Sequence, residues 1–310
     1  MIETIVSVGL PVDEKLEIKK QRLVPDTPLS GKEKRICITT GIHGDELEGQ
    51  YVCFELIKRI NANKSLLTGI VDVYPALNPL GIDSITRGIP AFDLDMNRIF
   101  PGSADGSMAE YTASQIIQDI SGADLCMDIH ASNIFLKEIP QIRINEISKD
   151  ALIPLARLAN VDYIWIHSTS TVLESTLAYS LNALNTPTLV VEMGVGMRIT
   201  KKYCEDLVDG IFVLMKELGI WKGDVITPKQ PIISEDGNVQ FINASSSGIF
   251  VPAVEHWKNV KKGQWIGDIL NPLEGKVIDK ILSPCNGIVF TLREFPVVDE
   301  GSLIARILEK

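Results

Sequence analysis

A histidine and a glutamate, His43 and Glu46, are separated by two residues within the segment GIHGDELEG. The segment follows a β-prone run and precedes a helical pattern, and a strand-to-helix turn lets both side chains converge on one point. Imidazole and carboxylate groups both bind Zn²⁺, and a catalytic zinc takes three protein ligands with the fourth position left for water. An HxxE pattern alone is common by chance, so a polar turn without a metal stays open at this point.

A third side chain of the right type closes a later strand. His130 ends the apolar run LCMDIH, and Asp128 lies two positions before it. Residues two apart on a strand share a face, so the Asp128 carboxylate is placed to accept the N–H of a zinc-binding imidazole. The alternative is a buried Asp–His pair without a metal, which must still account for the burial of a charge.

A carboxylate suited to proton transfer ends another apolar strand. Glu192 closes the run TLVVE, and Gly194 follows shortly after. Site residues of α/β proteins gather at the carboxyl ends of strands. A carboxylate placed there can take a proton from water whose pKa a zinc ion lowers toward about 7. The alternative is a strand-end charge that points into solvent.

Polar and turn-forming residues are concentrated in a long loop that includes Thr86-Arg87-Gly88 and Asp93–Gly102. Long loops of this composition are often functional. Arg87 and Arg98 are suited to bind a carboxylate in bidentate fashion or to stabilise an oxyanion. A structural loop held by Arg–Asp ion pairs explains the same pattern equally well.

Alternating strand and helix patterns predict the elements that must position these side chains. They indicate an α/β sheet covered on both faces, within one catalytic unit that spans residues 1–222. The strands are predicted at Leu16–Val24, Arg35–Thr40, Ile70–Tyr74, Leu125–His130, Tyr163–His167 and Thr188–Glu192, and the helices at Leu47–Asn61, Ala109–Ile120, Ser175–Leu184 and Lys201–Leu218.

The character of the chain changes after Trp221. Short β-prone runs broken by Gly, Pro, Asn and Asp predict a small all-β domain over residues 223–310. Within it, GIFV followed by VKKGQWI repeats as GIVF followed by VDEGSLI, with the copies 38–39 residues apart. Each copy suits a β-hairpin with glycine at the turn. The stretch resembles the barrel-sandwich fold of biotinyl and lipoyl carriers, but it lacks a convincing attachment lysine, so a structural or lid role is expected.

Composition narrows the class of partner. The 310 residues include 40 acidic and 30 basic side chains, which gives a formal net charge of -10. Nucleic acids and anionic membranes usually select basic surfaces, so neither is expected as a partner. No apolar run approaches the roughly 20 residues of a membrane helix, and the N-terminus does not resemble a secretory signal. The five cysteines are dispersed without a CxxC pair, which indicates a reducing compartment and a cytoplasmic protein.

Four motifs occur in a fixed order along the chain: GIHGDE, the TRG…DLDMNRIFPG stretch, DIH and VEMG. Together with the C-terminal β region, they resemble the succinylglutamate desuccinylase/aspartoacylase family, a deacylase branch of the zinc carboxypeptidase superfamily. The resemblance covers nearly the whole chain. It implies a zinc-carboxypeptidase-like mixed sheet flanked by helices, with a small barrel-sandwich-like domain at the C-terminal end.

The resemblance further implies one zinc ion per chain and a general base. The zinc would be bound by His43, Glu46 and His130. Glu192 would take a proton from water and return it to the leaving amine. The reaction implied is hydrolysis of the amide bond of a small N-acyl amino acid.

Matching residues of the long loop would contact the substrate. Arg87 would polarise the scissile carbonyl, and Asn97 and Arg98 would hold the α-carboxylate. The spacer between Arg87 and Asn97 is long for an aspartoacylase. Aspartoacylases also usually carry Asn before the ligand glutamate, whereas this chain has Asp45, a form typical of a subgroup for which N-acyl diamino acids are among the suggested substrates. The acyl group and the amine product therefore stay open.

Two other functions fit the same residues. A metallocarboxypeptidase acting on short peptides would use the same chemistry with a different pocket, and a non-catalytic zinc or ligand-binding protein would have no need of Glu192 as a base. Cobalt or manganese would also suit the donor set, and a homo-oligomer is compatible with the sequence. Of the remaining histidines, His167 and His256 are expected at the surface or in packing.

Overall fold

The computed structural model describes residues 1–90, 94–168, 174–235 and 238–310. In the N-terminal two thirds the strands are β1 Ile2–Gly9, β2 Lys15–Leu23, β3 Arg35–Thr40, β4 Ile70–Tyr74, β5 Leu125–Ala131, β6 Leu136–Asn145, β7 Tyr163–His167 and β8 Thr188–Gly194. The helices are α1 Glu48–Ala62, α2 Pro79–Ser84, α3 Met108–Ile120, α4 Lys149–Ala156, α5 Leu177–Ala183 and α6 Lys201–Glu217, with short 3₁₀ turns at Pro11–Asp13, Lys64–Leu66, Met96–Arg98 and Glu146–Ser148. The C-terminal strands are β9 Ile232–Glu235, β10 Val239–Asn243, β11 Gly248–Pro252, β12 Asn259–Val260, β13 Trp265–Asn271, β14 Lys276–Leu282, β15 Gly287–Arg293, β16 Val297–Val298 and β17 Leu303–Glu309.

One large mixed sheet organises the molecule. Across the described residues its main order is β1-β2-β4-β3-β5-β8-β6-β15-β17-β10, and β7, β9 and β12 pair at its side. Strand β3 is parallel to β4 and β5, and β5 is parallel to β8, whereas β6 runs antiparallel to β8. The carboxyl ends of β3, β5 and β8 therefore meet at one edge, which is where α/β proteins place their sites.

Two apolar cores lie on opposite faces of this sheet. Alternate residues of a strand point to opposite faces, so Ile38 packs with helices α1 and α6, whereas its neighbour Cys37 packs with α3 and α5. Such alternating burial requires both faces to be covered by helices. The mixed α/β sheet flanked by helices confirms the predicted fold class.

The regular strands match the sequence patterns closely, and the irregular ones do not. Strands β3, β4 and β7 have the predicted bounds, and the predicted helices α1, α3 and α6 are shifted by about one residue at an end, which is within the usual uncertainty of helix ends. Strands β1 and β6 and helix α4 have no counterpart among the predictions. Strand β6 was missed because Pro140 and several charged residues interrupt it, and proline argues against a central strand.

The two sequence repeats fold in the same order. Each copy forms a strand, a two-residue strand and a second long strand, which are β11, β12 and β13 in one copy and β15, β16 and β17 in the other. The copies exchange partners, because β11 pairs with β16 and β12 pairs with β15. Strand β15 also pairs with β6, so the large sheet continues into the C-terminal region. The division into residues 1–222 and 223–310 stays a prediction.

The cysteines act as small apolar side chains in the packed interior. Each of the five is buried and has a free thiol. Cys53 and Cys204 lie in the core beneath α1 and α6, and Cys37 and Cys126 lie in the core on the other face. Among the described residues, no helix combines the length and the apolar character needed to cross a membrane.

Candidate metal centre and active-site cavity

The GIHGDE loop leaves the end of β3 and enters α1 within seven residues, from Gly41 to Leu47. Gly44 packs directly against the backbone of Gly81 in α2. A Cβ at Gly44 would lie 1.9 Å from the carbonyl carbon of Gly81. The N–H of Gly44 also donates to the carbonyl oxygen of Thr86 at 3.0 Å. Only glycine allows this approach, which brings the loop that carries Arg87 against the side chains of His43 and Glu46.

Strand β5 carries the second histidine to the same place. In the parallel register, Thr39 of β3 lies beside Asp128, and His130 lies beside Glu192 of β8. His130 therefore stands one step beyond the end of the shared β3–β5 ladder, at the level where the GIHGDE loop begins. The register of three parallel strands explains why residues far apart in sequence converge.

The three predicted ligands form one compact set. His43, Glu46 and His130 each offer a donor atom, and these atoms lie within 4.8 Å of one another. Nδ1 of His43 is 2.7 Å from Oε1 of Glu46, and Nδ1 of His130 is 2.9 Å from Oε2. All three residues are at most 4% exposed. Two imidazoles and one carboxylate on a shared point are the donor set of a catalytic zinc site.

A carboxylate faces the far nitrogen of each imidazole. Nε2 of His130 is 3.1 Å from Oδ2 of Asp128, and Nε2 of His43 is 3.1 Å from Oδ1 of Asp95. An Nε2–H that donates to a carboxylate leaves Nδ1 as the atom with the free lone pair, which is the arrangement of a metal-binding histidine. The contact of Asp128 with the imidazole of His130 was predicted from the sequence, and the contact of Asp95 with the imidazole of His43 was not. Asp95 lies in the long loop, two residues before Asn97.

The protonation equilibria of this cluster are strongly coupled to its charges. Burial lowers the pKa of His43, but the Glu46 and Asp95 carboxylates outweigh it and raise the pKa above its ordinary value. Burial also lowers the pKa of His130, but Asp128 and Glu46 outweigh it and hold the pKa of that imidazole well above its usual range. The pKa of Glu46 is lowered although burial favours its neutral form, because the two imidazoles stabilise its charge.

The charge count of the cluster fits a divalent cation. The carboxylates of Glu46, Asp95 and Asp128 lie within hydrogen-bonding distance of the imidazoles, and the Arg87 guanidinium contacts two of them, Glu46 and Asp95. Without a metal, the raised pKa values favour protonated imidazoles, whose two charges together with Arg87 would balance the three carboxylates. Histidines that bind a metal are neutral, and the cluster is then left with an excess of two negative charges. Buried charges require compensation, and a dication coordinated by the three donors would supply it.

The three predicted site residues of the long loop differ in their burial and in their hydrogen-bond partners. Arg87 is 41% exposed, and its two terminal nitrogens lie 3.1 Å from Oε1 of Glu46 and 3.3 Å from Oδ2 of Asp95. Asn97 is buried and accepts a hydrogen bond from the N–H of Leu177 at 2.9 Å. Arg98 is exposed and donates to the carbonyl oxygen of Asn97. Asp93, the first residue of the second loop motif, lies outside the described residues.

Glu192 stands beside the metal ligands on the neighbouring strand. Its side chain is 16% exposed, and Oε1 is 3.3 Å from Nη1 of Arg143. Burial raises the pKa of Glu192, and the Arg143 guanidinium opposes part of that rise. A carboxylate with a raised pKa beside a candidate metal site is suited to act as a general base.

A cavity of about 670 Å³ connects these groups. Its wall includes the three candidate ligands together with Arg87, Asn97, Arg98 and Glu192. This volume is in the range of small-molecule sites. The structure therefore brings every predicted site residue to one cavity.

Several residues of the cavity wall were not predicted. Glu138 and Arg143 come from β6, and Arg306 comes from β17 in the C-terminal region. His167 also lines the cavity, where its ring stacks on Trp165 with centroids 4.4 Å apart. The polar residues at alternate positions, Gln141, Arg143 and Asn145, were the available signal, and Pro140 obscured it.

Known proteins share this chain's sequence motifs and fold. Residues 32–218 match the family described as the succinylglutamate desuccinylase/aspartoacylase catalytic domain. That match covers more than half of the chain and includes all of the predicted site residues. The chain belongs to the succinylglutamate desuccinylase/aspartoacylase family.

One curated relative is the N-alpha-acetyl-L-2,4-diaminobutyric acid deacetylase of Halomonas elongata. The two sequences are 30% identical over 120 residues, which is 38% of this chain and 34% of that enzyme. The aligned segment thus spans about a third of the relative's length.

Solved structures resemble the whole chain. The succinylglutamate desuccinylase/aspartoacylase of Rhodobacter sphaeroides has a TM-score of 0.82 at 21% identity, with 100% of this chain and 95% of that chain covered. The ectoine utilization protein EutE (DoeB) of Ruegeria pomeroyi, in a product-bound structure, has a TM-score of 0.83 at 18% identity, with the same shares covered. At these identities the likeness establishes the fold.

Proposed function

We propose that this chain is a zinc-dependent deacylase that hydrolyses the amide bond of a small N-acyl amino acid. The observation that supports this proposal most directly is the set of three donor atoms of His43, Glu46 and His130, which lie within 4.8 Å of one another. The carboxylates on both far nitrogens and the excess negative charge support a divalent metal at this point. Membership of a deacylase family supports the reaction.

A zinc ion held by these donors would lower the pKa of a coordinated water and polarise the substrate carbonyl. Glu192 accepts the proton of the attacking water and later donates it to the leaving amine. Its raised pKa suits both transfers, because a base that is too acidic returns the proton poorly. Arg87 stabilises the negative charge that develops on the carbonyl oxygen.

The substrate carboxylate is assigned to Asn97 and Arg98. The side-chain oxygen of Asn97 is occupied by the N–H of Leu177, so its amide group is oriented by the start of α5. Arg98 is exposed at the cavity wall and offers a guanidinium suited to bidentate carboxylate binding. Together the two side chains would orient the amide toward the metal ligands.

The identity of the amine half is a finer proposal. The curated relative is named for N-alpha-acetyl-L-2,4-diaminobutyric acid, and this compound is therefore the first substrate to test. The C-terminal region, residues 223–310, is proposed as a second unit that completes the cavity wall through Arg306. Its role would then be structural support of the site, in keeping with the continuous sheet.

A substrate screen tests this function. The zinc-loaded protein is incubated with N-acetyl amino acids, including the diaminobutyrate derivative, and with dipeptides that have a free C-terminus, and amine release is measured. Release from N-acetyl compounds supports the deacylase. Hydrolysis of dipeptides alone would indicate a carboxypeptidase, and zinc binding without any hydrolysis would indicate a binding protein. His43→Ala serves as the control for contaminating hydrolases.

A further inference from the structure

An irregularity in β6 determines which of its side chains face the cavity. Strand β6 pairs antiparallel with β8, with Gln141 opposite Glu192 and Glu138 opposite Gly194. Opposite residues of an antiparallel pair point to the same face. Glu138 and Gln141 are an odd number of residues apart, so a regular strand would place them on opposite faces. The register shift between them restores Glu138 to the face of Glu192, as β-bulges next to active sites do.

The polar row continues into the C-terminal region. Thr291 of β15 lies opposite Glu138 on one side and opposite Arg306 of β17 on the other. Opposite residues share a face, so Glu138, Thr291 and Arg306 form one row across β6, β15 and β17. The row meets β8 at Gly194, two residues from Glu192 on the same face.

Glu138 is the hydrogen-bonding centre of this row. Its side chain is 1% exposed. Oε1 accepts from Arg306 at 2.6 Å and from Arg143 at 3.3 Å. Oε2 accepts from Thr291 at 2.5 Å and from Gln141 at 2.9 Å. A carboxylate with four donors has its acceptor capacity filled, so Glu138 serves to hold its neighbours.

Arg143 connects this centre to Glu192. One terminal nitrogen contacts Glu138 at 3.3 Å and the other contacts Glu192 at 3.3 Å. The guanidinium also lies over the ring of Trp165, 5.6 Å from its centroid, and Arg306 lies over the same ring at 5.5 Å. Glu138 and the Trp165 ring, both of which also contact Arg306, therefore restrict where Arg143 can place its second terminal nitrogen.

From this geometry we propose that Glu138 and Arg306 are positioning residues, which act through Arg143 to hold the carboxylate of Glu192 beside the metal ligands. The proposal rests on the proposed function, in which Glu192 is the base. It assigns a task in catalysis to strand β17, which is separated from β8 by β6 and β15. Arg306 and Glu138 lie at 16% and 1% side-chain exposure, so the contact between them is shielded from competing water.

Kinetic constants of Arg306 variants test the proposal. Arg306→Met should lower kcat about 10- to 100-fold, the effect of a small misplacement of a reacting group, and should leave KM unchanged. Arg306→Lys should recover part of the loss. Gln240→Met is the matched control, since Gln240 is a half-buried residue of β10 that bonds Glu309 of β17. A change in KM alone would mean that Arg306 contacts substrate, and a kcat equal to that of Gln240→Met would mean that the row carries no function; either result overturns the proposal.

Double variants separate positioning from general destabilisation. If Arg306 acts through Arg143, the kcat effect of Arg306→Met should vanish in an Arg143→Met background, because residues in one network are not additive. Thr291→Val removes one donor to Glu138 with little change of shape, and it should give a smaller loss of kcat. Multiplicative kcat effects in the double variant would contradict the proposed path.

A crystallographic measurement does not depend on turnover. In the zinc-loaded wild type, Nη1 of Arg143 should lie near 3.3 Å from Oε1 of Glu192. In Glu138→Gln and in Arg306→Met this distance should exceed about 4 Å, the limit of an ion pair. An unchanged distance in both variants would refute positioning. If the wild type hydrolyses none of the tested amides, the proposed function fails, and this measurement alone decides whether the row holds Glu192.

Discussion

Two clusters of buried charge lie on the sheet, and their charges are balanced in different ways. The ion cluster is centred on Asp72 of β4, which is fully buried and contacted at 3.4–3.7 Å by Lys20, Arg22 and Arg35. Glu3 and Asp119 complete it. Its three carboxylates are thus matched by three cations from the chain itself.

The metal cluster, formed by His43, Glu46, His130, Asp95 and Asp128, depends on histidines for its balance. Among the described residues, the Arg87 guanidinium contacts Glu46 and Asp95, and the other charged partners of the three carboxylates are the two imidazoles, which are neutral when they bind a metal. It also borders a cavity, whereas the ion cluster ties strands β2, β3 and β4 to helix α3. Removal of one partner from a buried ion cluster destabilises the fold because a charge is left unpaired. A cluster whose histidines are neutral when they bind a metal instead leaves negative charge that a bound cation would balance.

The largest effect on activity is expected from a substitution of Glu192, which belongs to neither cluster. Glu192→Gln keeps the shape of the side chain and removes its basicity, so kcat should fall about 10²- to 10⁴-fold. Zinc content and the thermal midpoint should stay at the wild-type values, because Glu192 is not among the three donors. Near-normal hydrolysis by this variant would remove Glu192 from the role of base.

The ion cluster should respond in stability alone. Asp72→Asn leaves buried Lys20 with fewer partners, and it should lower the free energy of unfolding by about 3 kcal/mol, measured by urea denaturation. Zinc stoichiometry should not change. The exposed Asp105→Asn is the matched control and should be neutral. Loss of zinc from Asp72→Asn at a temperature where the protein is folded would show that the two clusters are coupled.

Added zinc should stabilise the folded protein through the metal cluster and not through the ion cluster. At a free concentration about 100 times its Kd, a ligand that binds only the folded state contributes about 2.7 kcal/mol. The thermal midpoint of the wild type should therefore rise with zinc and fall back with a chelator, whereas that of His43→Ala should stay constant. An equal zinc response in His43→Ala would refute the ligand set.

The smallest effect concerns the carboxylates behind the imidazoles. Asp95→Asn and Asp128→Asn should each weaken zinc affinity about 10- to 100-fold, measured by competition with a chromogenic chelator. The loss should be greater for Asp128, whose side chain is 1% exposed, than for Asp95 at 24%. Unchanged affinity in both variants would leave the orientation of the imidazoles to packing.

Local patterns along the chain were sufficient to predict that His43, Glu46, His130 and Glu192 lie together. HxxE, DIH and VEMG are short motifs at the ends of regular strands, and the apolar runs before them predicted β3, β5 and β8. Parallel strands that end at one edge bring such motifs together in many registers. The roles of these residues as metal ligands and base stay predictions.

Tertiary structure alone decided what surrounds those residues. Asp95 lies 3.1 Å from His43 although 52 residues separate them in sequence. Glu138 faces Glu192 because a register shift beside Pro140 reverses the parity of β6, and a change of one residue in register moves a side chain to the other face. Arg306 joins them through pairings across β6, β15 and β17. Ligand types and strand ends are properties of local sequence, whereas the partners of each side chain depend on register and on contacts between distant strands.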